Sequence, residues 1–102
     1  MRSRLEARYA QSLDALNLKW DYEPRAFGGR GGQYLPDFVL YDGPIITYIE
    51  VKPTLEMALA VLPKMQIIRE SLAKAWLAVA VGDIGEFVLT PYSDKWRWTP
   101  YA

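Results

Sequence analysis

The alternation of apolar and polar positions near the start of the chain predicts a helix followed by a strand. Apolar residues recur there at helical spacing, and Ser3 with Glu6 has the Ser-x-x-Glu pattern of a capping box, so we expect a helix over residues 3–16. Residues 18–23 then alternate between apolar and polar types, which is typical of a strand with one buried face. Pro24 ends this strand.

The middle of the chain predicts two more strands and a second helix. Residues 34–41 and 45–52 have strand character and are joined by an Asp-Gly-Pro turn. Residues 54–62 are apolar and compatible with a helix, but Pro63 interrupts them. Because proline suits the first position of a helix, the pattern predicts that the second helix runs over 63–74.

The last part of the chain completes an α/β pattern. The continuous apolar segment 76–81 is typical of a central strand that is covered on both faces, and 86–90 follows as a final strand. The Gly- and Arg-rich segment 24–33 is predicted to be a mobile loop, and 92–102 a C-terminal tail. The order of elements predicts an α/β fold with a central mixed sheet flanked by helices, in a single domain over 1–102.

The composition excludes several classes of enzyme. The 102 residues include no histidine and no cysteine, so a thiol nucleophile, a Cys-type zinc site and a Ser-His-Asp triad are all excluded. An enzyme of this composition must use Asp, Glu, Lys and a hard metal ion. Twelve basic and twelve acidic residues give no net charge, which by itself favours no particular partner. Without a signal peptide or an apolar segment long enough to span a bilayer, we expect a soluble cytoplasmic protein.

Three charged residues lie within strands that are otherwise mainly apolar: Asp37, Glu50 and Lys52. Side chains alternate along a strand, so Glu50 and Lys52 point to one face and Val51 to the other. Antiparallel pairing of 34–41 with 45–52 brings Asp37 beside Glu50. Two close carboxylates repel each other unless a cation lies between them or one is protonated. Mg²⁺, for which Mn²⁺ can substitute, fits two carboxylates with the Val51 carbonyl as a further ligand, and Lys52 can orient or deprotonate a water. This set suits metal-assisted hydrolysis of a phosphodiester.

These residues resemble a known signature. Pro36-Asp37, twelve residues and then Glu50-Val51-Lys52 is similar to the motif of the PD-(D/E)XK nuclease superfamily, which has a restriction-endonuclease-like αβββαβ core. Three further segments come in the same order along the chain as in phage-type members of the superfamily. They are residues 3–6, 18–24 and 34–38. Over residues 3–82 the chain resembles phage endonuclease I-type Holliday-junction resolvases and transposon-encoded end-cutting nucleases.

The resemblance implies roles for the matching residues. Asp37 and Glu50 would be metal ligands, Lys52 the catalytic lysine, and Glu6 the first-helix acidic residue that completes the metal site. Glu6 has a plainer interpretation as the capping-box partner of Ser3. The resemblance also implies a homodimer that cuts duplex or branched DNA, although the chain lacks the basic C-terminal extension and the positive charge of those resolvases.

Other residues are candidates for contacts with nucleic acid. Arg25 and Arg30 in the glycine-rich segment can contact DNA phosphates, or the segment is a plain surface loop. Lys64 and Gln66 open the predicted second helix, where the superfamily often places DNA contacts. The tail interleaves aromatic and basic residues over 95–101, and we favour packing of its indoles over base stacking. The apolar segment 55–62 is a candidate dimer surface.

The leading hypothesis is therefore a Mg²⁺-dependent DNA endonuclease of phage or mobile-element type, selective for branched DNA if it follows the resolvases. The alternative is a non-catalytic DNA-binding or assembly module that keeps the nuclease fold. A carboxylate hydrolase acting on sugars would need a substrate cleft that 102 residues scarcely provide.

Overall fold

A six-stranded sheet, a separate two-stranded sheet and two helices make up the computed structural model, which describes residues 1–29, 32–72 and 74–101. The helices are α1 (Arg4–Ala15) and α2 (Leu55–Ser71). The strands are β1 (Lys19–Tyr22), β2 (Phe27–Gly29), β3 (Gly32–Tyr34), β4 (Phe38–Asp42), β5 (Ile45–Lys52), β6 (Trp76–Val81), β7 (Gly85–Leu89) and β8 (Arg97–Pro100).

The large sheet is mixed. Its strand order is β1-β4-β5-β6-β7-β8, and neighbouring strands are antiparallel except β5 and β6, which run parallel. A parallel pair requires a crossover connection, and α2 supplies it between β5 and β6. β2 and β3 form the small hairpin. A central mixed sheet flanked by helices confirms the predicted α/β fold class.

Each face of the sheet packs against one helix. Ile49 and Val51 of β5 belong to the apolar cluster that includes α1, whereas Tyr48 of the same strand belongs to the cluster that includes α2. Because side chains alternate along a strand, Glu50 and Lys52 share the α2 face with Tyr48. The two candidate site residues of β5, Glu50 and Lys52, therefore lie on the helix α2 side of the sheet.

Helix α1 follows the prediction closely. The Ser3 side chain accepts a hydrogen bond from the Glu6 backbone N–H at 3.1 Å, as expected of a helix N-cap. Beyond the helix end, Asn17 has φ 58°, a left-handed conformation that asparagine tolerates better than most residues. The predicted helix over 3–16 is confirmed to within a residue at each end.

Helix α2 begins earlier than predicted. Its N-cap is Thr54, whose hydroxyl accepts from the Met57 backbone N–H at 3.2 Å, and Pro63 lies inside the helix. A start at Pro63 is therefore wrong. Pro63 removes the hydrogen bond to the Leu59 carbonyl, but both residues lie on the exposed side, where water can satisfy that carbonyl. Burial of the opposite side, including Val61, stabilises the continuous helix.

The segment 24–33 is more ordered than the predicted loop. β2 and β3 pair as a hairpin, so the loop prediction is wrong for residues 27–29 and 32–33. The cause is Phe27, which is buried and packs edge-on against the Tyr48 ring at a centroid distance of 5.0 Å. Together with Tyr34, which packs against the same apolar cluster, Phe27 docks the hairpin onto the α2 side of the sheet.

The C-terminal tail adds an edge strand. β8 pairs with β7, and Trp98 packs on Phe87 with ring centroids 4.8 Å apart. Gly85 leaves the space for this indole, since a Cβ there would lie 2.6 Å from the Trp98 ring. The prediction that the tail packs its indoles is confirmed: Trp98 lies on Phe87 and stays partly exposed, and Trp96 packs against the apolar cluster on the α2 side.

The remaining strands differ from the predicted strands only at their ends. β5 and β6 have the predicted bounds, 45–52 and 76–81. β4 begins at Phe38 and not, as predicted, at residue 34. Pro36 has no backbone N–H to donate to a neighbouring strand, so the pairing with β1 begins after it. No described helix is long and apolar enough to cross a membrane.

Candidate active site

Two carboxylates meet at the edge of the sheet where β4 begins and β5 ends. β4 and β5 pair with Phe38 opposite Ile49, so Asp37 and Glu50 lie next to each other beyond that pair. Asp37 is 2 % exposed, and its Oδ2 accepts a hydrogen bond from the Val51 backbone N–H at 2.8 Å. This bond fixes the Asp37 carboxylate against the backbone of β5.

Glu50 is held from two sides. It is 5 % exposed, and one of its carboxylate oxygens accepts a hydrogen bond from the Tyr34 hydroxyl of β3. The other, Oε2, lies 3.6 Å from Lys52 Nζ. The structure thus brings together Asp37, Glu50 and Lys52 as the strand pattern predicts, while their chemical roles stay predictions.

Burial makes the charge on this pair costly. Burial and, after it, the neighbouring Asp37 charge raise the pKa of Glu50 to about 8. Burial also raises the pKa of Asp37, against the hydrogen bonds from Glu50 and from the Val51 N–H, which lower it. Burial, followed by the Glu50 charge, raises the pKa of Tyr34, so that its hydroxyl remains a donor. At neutral pH the pair therefore favours an added proton or a cation.

The donor set fits a hard divalent cation. Both carboxylates offer oxygen ligands, and Mg²⁺ is often held by one or two carboxylates with water and substrate phosphate completing its shell. Among the described residues, no group of three acidic, His or Cys side chains is arranged to hold a metal ion. A divalent cation at this site would therefore be held by two side chains, those of Asp37 and Glu50. The Val51 carbonyl stays a predicted further ligand.

Glu6 has other partners. It is buried on α1, and its Oε2 accepts hydrogen bonds from the Tyr22 hydroxyl at 2.6 Å and from the Arg2 backbone N–H at 3.1 Å. Its charge is still felt at the main pair, since it contributes to the raised pKa of Asp37. Glu6 thus lies near the site without joining a three-ligand group, and its role as a metal ligand stays a prediction.

Arg2 is a site residue that sequence reasoning missed. Its Nη2 lies 3.5 Å from Asp37 Oδ1 and its Nε 3.3 Å from Glu23 Oε1, although the side chain is 64 % exposed. Glu23 adopts φ 46°, and its backbone N–H donates to the Asp37 carbonyl at 2.7 Å. Nothing in the local pattern around Arg2 signals this contact, because it depends on where the start of α1 lies in the fold.

Tyr34 was also missed as a site residue. It occurs in the segment Tyr34-Leu-Pro-Asp37, which places it close to Asp37 in sequence. Tyrosine serves packing as often as hydrogen bonding, so this proximity is a weak signal. Its hydroxyl reaches Glu50 because Tyr34 ends the hairpin of β2 and β3, whereas the pattern predicted that Tyr34 begins the strand 34–41 after a loop.

Three of the predicted DNA-contact residues are described, and neither Asp37 nor Glu50 has a hydrogen bond or an ion pair with any of them: Arg25, Lys64 and Gln66. The exposed Arg25 places its Cζ 4.4 Å from the centroid of the Phe27 ring, a cation–π contact. Lys64 is exposed and Gln66 half-buried, both within α2 rather than at its start. Arg30 lies outside the described residues. No observation tests whether these side chains contact nucleic acid.

Comparisons with known proteins show a likeness to solved structures but no match in sequence. No family model matches the chain, and no curated protein matches it in sequence. Among solved structures, the chain is similar to Archaeoglobus fulgidus Hjc, a Holliday junction resolvase from an archaeal hyperthermophile. The TM-score is 0.44 and the identity 16 %, and the likeness covers 96 % of this chain and 87 % of that one. The function of this chain is inferred from its own residues.

Proposed function

We propose that the protein is a Mg²⁺-dependent endonuclease that hydrolyses phosphodiester bonds in DNA. The observation that carries this proposal is the pair of buried carboxyls, Asp37 and Glu50, beside the Lys52 ammonium at the end of the sheet where β4 begins and β5 ends. Burying two acids together is costly unless the site has a use for the cation that they attract.

Each residue of the pair is already oriented for this role. The Val51 N–H fixes Asp37, and the Tyr34 hydroxyl fixes Glu50, so neither carboxylate must be ordered when a cation binds. When bound, Mg²⁺ would lower the pKa of a coordinated water and offset charge on the phosphate. Lys52 Nζ, close to Glu50, orients the attacking water and offsets the negative charge that builds on the phosphate oxygens.

The substrate and assembly belong to the same proposal. Arg25, Arg30, Lys64 and Gln66 supply local contacts to DNA, which suits a chain with no net charge. A homodimer would present two sites to a branched substrate, as the sequence resemblance to phage and transposon nucleases implies. Mn²⁺ is expected to replace Mg²⁺ at the same two carboxylates.

One observation favours a second candidate, a non-catalytic DNA-binding or assembly module. Arg2 already places a guanidinium 3.5 Å from Asp37 Oδ1, so a side chain of the protein partly neutralises the pair. If this contact persists, the chain binds DNA without turnover and without metal dependence.

Cleavage assays separate the two. We expect Mg²⁺- or Mn²⁺-dependent cutting when duplex, flap, four-way-junction and single-stranded DNA are compared, with a preference for the junction if the sequence resemblance to phage resolvases extends to the substrate. Asp37→Asn and Lys52→Ala are expected to lower the cleavage rate by about 10²- to 10⁴-fold, the range for loss of a positioned catalytic group. Glu70→Gln is the matched control, because Glu70 is an exposed carboxylate on α2.

The folded state of each variant is checked by circular dichroism. Unchanged cleavage in purified Asp37→Asn and Lys52→Ala would contradict the site. Binding of DNA with no cleavage of any substrate by the wild-type chain would favour the non-catalytic module.

A further inference from the structure

A cavity of about 460 Å³ lies between one side of α1 and the turn that joins β6 to β7. Its walls include Leu5, Tyr9 and Arg8 from the helix, Gly82 and Glu86 from the sheet side, and Tyr101 near the C-terminus. We call it the α1 cavity. Its volume is within the range of small-molecule binding sites, and its lining is mainly apolar and aromatic with a few polar groups, as such sites require.

The polar groups of the α1 cavity are placed by the sheet. β6 and β7 pair with Ala80 opposite Glu86, and Ala80 packs in the α1 cluster, so Glu86 points to the same side as α1. The Tyr101 backbone N–H donates to the Ile84 carbonyl at 3.1 Å, which fixes the C-terminal segment beside the turn. Glu86 and Tyr101 therefore face Tyr9 across the cavity.

These groups have unused hydrogen-bonding capacity. In the part of the chain that the structure describes, no hydrogen bond or ion pair reaches the Glu86 carboxylate or the hydroxyls of Tyr9 and Tyr101. Burial raises the pKa of Glu86, and burial raises that of Tyr101 to about 12. A half-buried carboxylate without a hydrogen-bond partner carries a desolvation cost. A ligand with hydrogen-bond donors would offset this cost.

The α1 cavity lies at the same end of the sheet as the candidate active site, but on the opposite face. Gly82, in its wall, donates its backbone N–H to the Lys52 carbonyl at 2.8 Å, whereas the Lys52 side chain points to the α2 face. Leu5, on the helix wall, directly precedes Glu6. A DNA strand that passes over this end of the sheet from the candidate active site to the α1 face would meet a cavity with aromatic walls and a hydrogen-bond acceptor.

We propose that the α1 cavity binds an unpaired nucleobase that carries an exocyclic amino group. The base packs against Tyr101 and Tyr9, its amino group donates to the Glu86 carboxylate, and Arg8 contacts the adjacent phosphate. Stacking on aromatic rings binds any base, whereas a carboxylate acceptor selects the amino edges of cytosine, adenine or guanine over thymine. This inference rests on the proposed function in taking DNA as the substrate, and it adds a preference for an unpaired base.

The test measures binding without divalent metal, so it does not depend on cleavage. Fluorescence anisotropy compares short single strands of equal length, oligo-dC, oligo-dA and oligo-dT, with the full chain in a metal chelator. We expect oligo-dC and oligo-dA to bind about tenfold more tightly than oligo-dT, the discrimination typical of one good base-edge contact. Equal affinities for the three strands would overturn the proposal.

Two variants assign the preference to the α1 cavity. Glu86→Met, which keeps the length of the side chain and removes the acceptor, is expected to abolish the preference for amino-bearing bases. Tyr101→Ala is expected to weaken binding of all three strands by about tenfold through lost stacking. Glu70→Met is the control and should match the wild type. A preference that survives in Glu86→Met would overturn the assignment.

A titration with free cytidine and with arginine amide distinguishes a base from a cationic side chain. Shifts of the Tyr101 ring resonances with cytidine support the proposal, and shifts with arginine amide alone overturn it. If the chain shows the base preference but cleaves no DNA, the proposed function is rejected and the inference about the α1 cavity stands. If the chain cleaves DNA but shows no base preference, the inference about the α1 cavity is rejected and the proposed function stands.

Discussion

The candidate active site and the α1 cavity both contain carboxyls in poorly solvated surroundings, but among the described residues only those of the candidate active site have hydrogen-bond or ion-pair partners. Asp37 accepts from the Val51 N–H, and Glu50 accepts from Tyr34 and lies near Lys52. Glu86 in the α1 cavity has no such partner among the described residues. The difference indicates two uses of burial. At the first site the protein positions the ligands of a cation in advance, whereas in the cavity it leaves an acceptor for a donor that arrives with a ligand.

The first predicted effect on stability concerns the charge on the buried pair. The pKa of Glu50 is raised to about 8 from an ordinary 4.5, so the protonated form is favoured by the folded state. The stability that Glu50 contributes is complete below about pH 4.5 and is lost as the pH rises toward 8. Glu50→Gln, which stays neutral, is therefore expected to be more stable than the metal-free wild type at pH 8. The expected gain is about 1.4 kcal/mol or more, which corresponds to a tenfold change in the unfolding equilibrium.

Urea unfolding at pH 4 and pH 8 measures this difference. The two chains should converge at pH 4. Glu86→Gln is the comparison in the α1 cavity, and its benefit at pH 8 should be smaller, because burial raises the pKa of Glu86 without a neighbouring carboxylate among its causes. An equal benefit for both variants would remove the contrast between the two regions.

Removing a tyrosine hydroxyl in each region tests the same contrast. Tyr34→Phe takes the donor away from buried Glu50 and is expected to lower the free energy of unfolding by about 1–3 kcal/mol. Tyr101→Phe removes a hydroxyl that has no partner among the described residues, so its effect should lie within about 0.5 kcal/mol. Chemical denaturation in chelator checks both variants. Similar losses in the two would show that the Tyr101 hydroxyl has a partner in solution.

The weakest predicted effect concerns Arg2. Its exposed guanidinium competes with a metal ion for Asp37, and exposed ion pairs are weak. Arg2→Gln is therefore expected to raise Mn²⁺ affinity by roughly two- to fivefold. Isothermal titration calorimetry measures it, with Arg4→Gln, an exposed neighbour on α1, as the control. A lower affinity in Arg2→Gln alone would show that Arg2 supports the cation site instead of competing with it.

Much of the carboxylate pair could be predicted because it depends on local rules. Alternation along β5 puts Glu50 and Lys52 on one face, and the turn after β4 sets the register that brings Asp37 beside them. These relations involve neighbouring strands joined by a tight turn. A single amphipathic pattern and one turn signal were enough to infer them.

The rest of the site depends on contacts between distant elements. Arg2 reaches Asp37 only because α1 packs across β1 and β5, and Tyr34 reaches Glu50 only because Phe27 anchors the hairpin. The α1 cavity arises where α1 leaves β7 and the C-terminal segment uncovered, which no periodicity in the sequence indicates. Helix α2 shows the same limit, since tertiary burial and the Thr54 cap override the proline signal.

The proposed function requires Asp37 and Glu50 to hold one divalent cation together beside Lys52. Isothermal titration calorimetry with Mn²⁺ near pH 8 tests this binding on the wild type, Asp37→Asn, Glu50→Gln and the control Glu70→Gln. We expect one Mn²⁺ per chain in the wild type and in the control, and loss of that binding in the other two. Mn²⁺ binding that persists unchanged in Asp37→Asn and Glu50→Gln would contradict the proposed site.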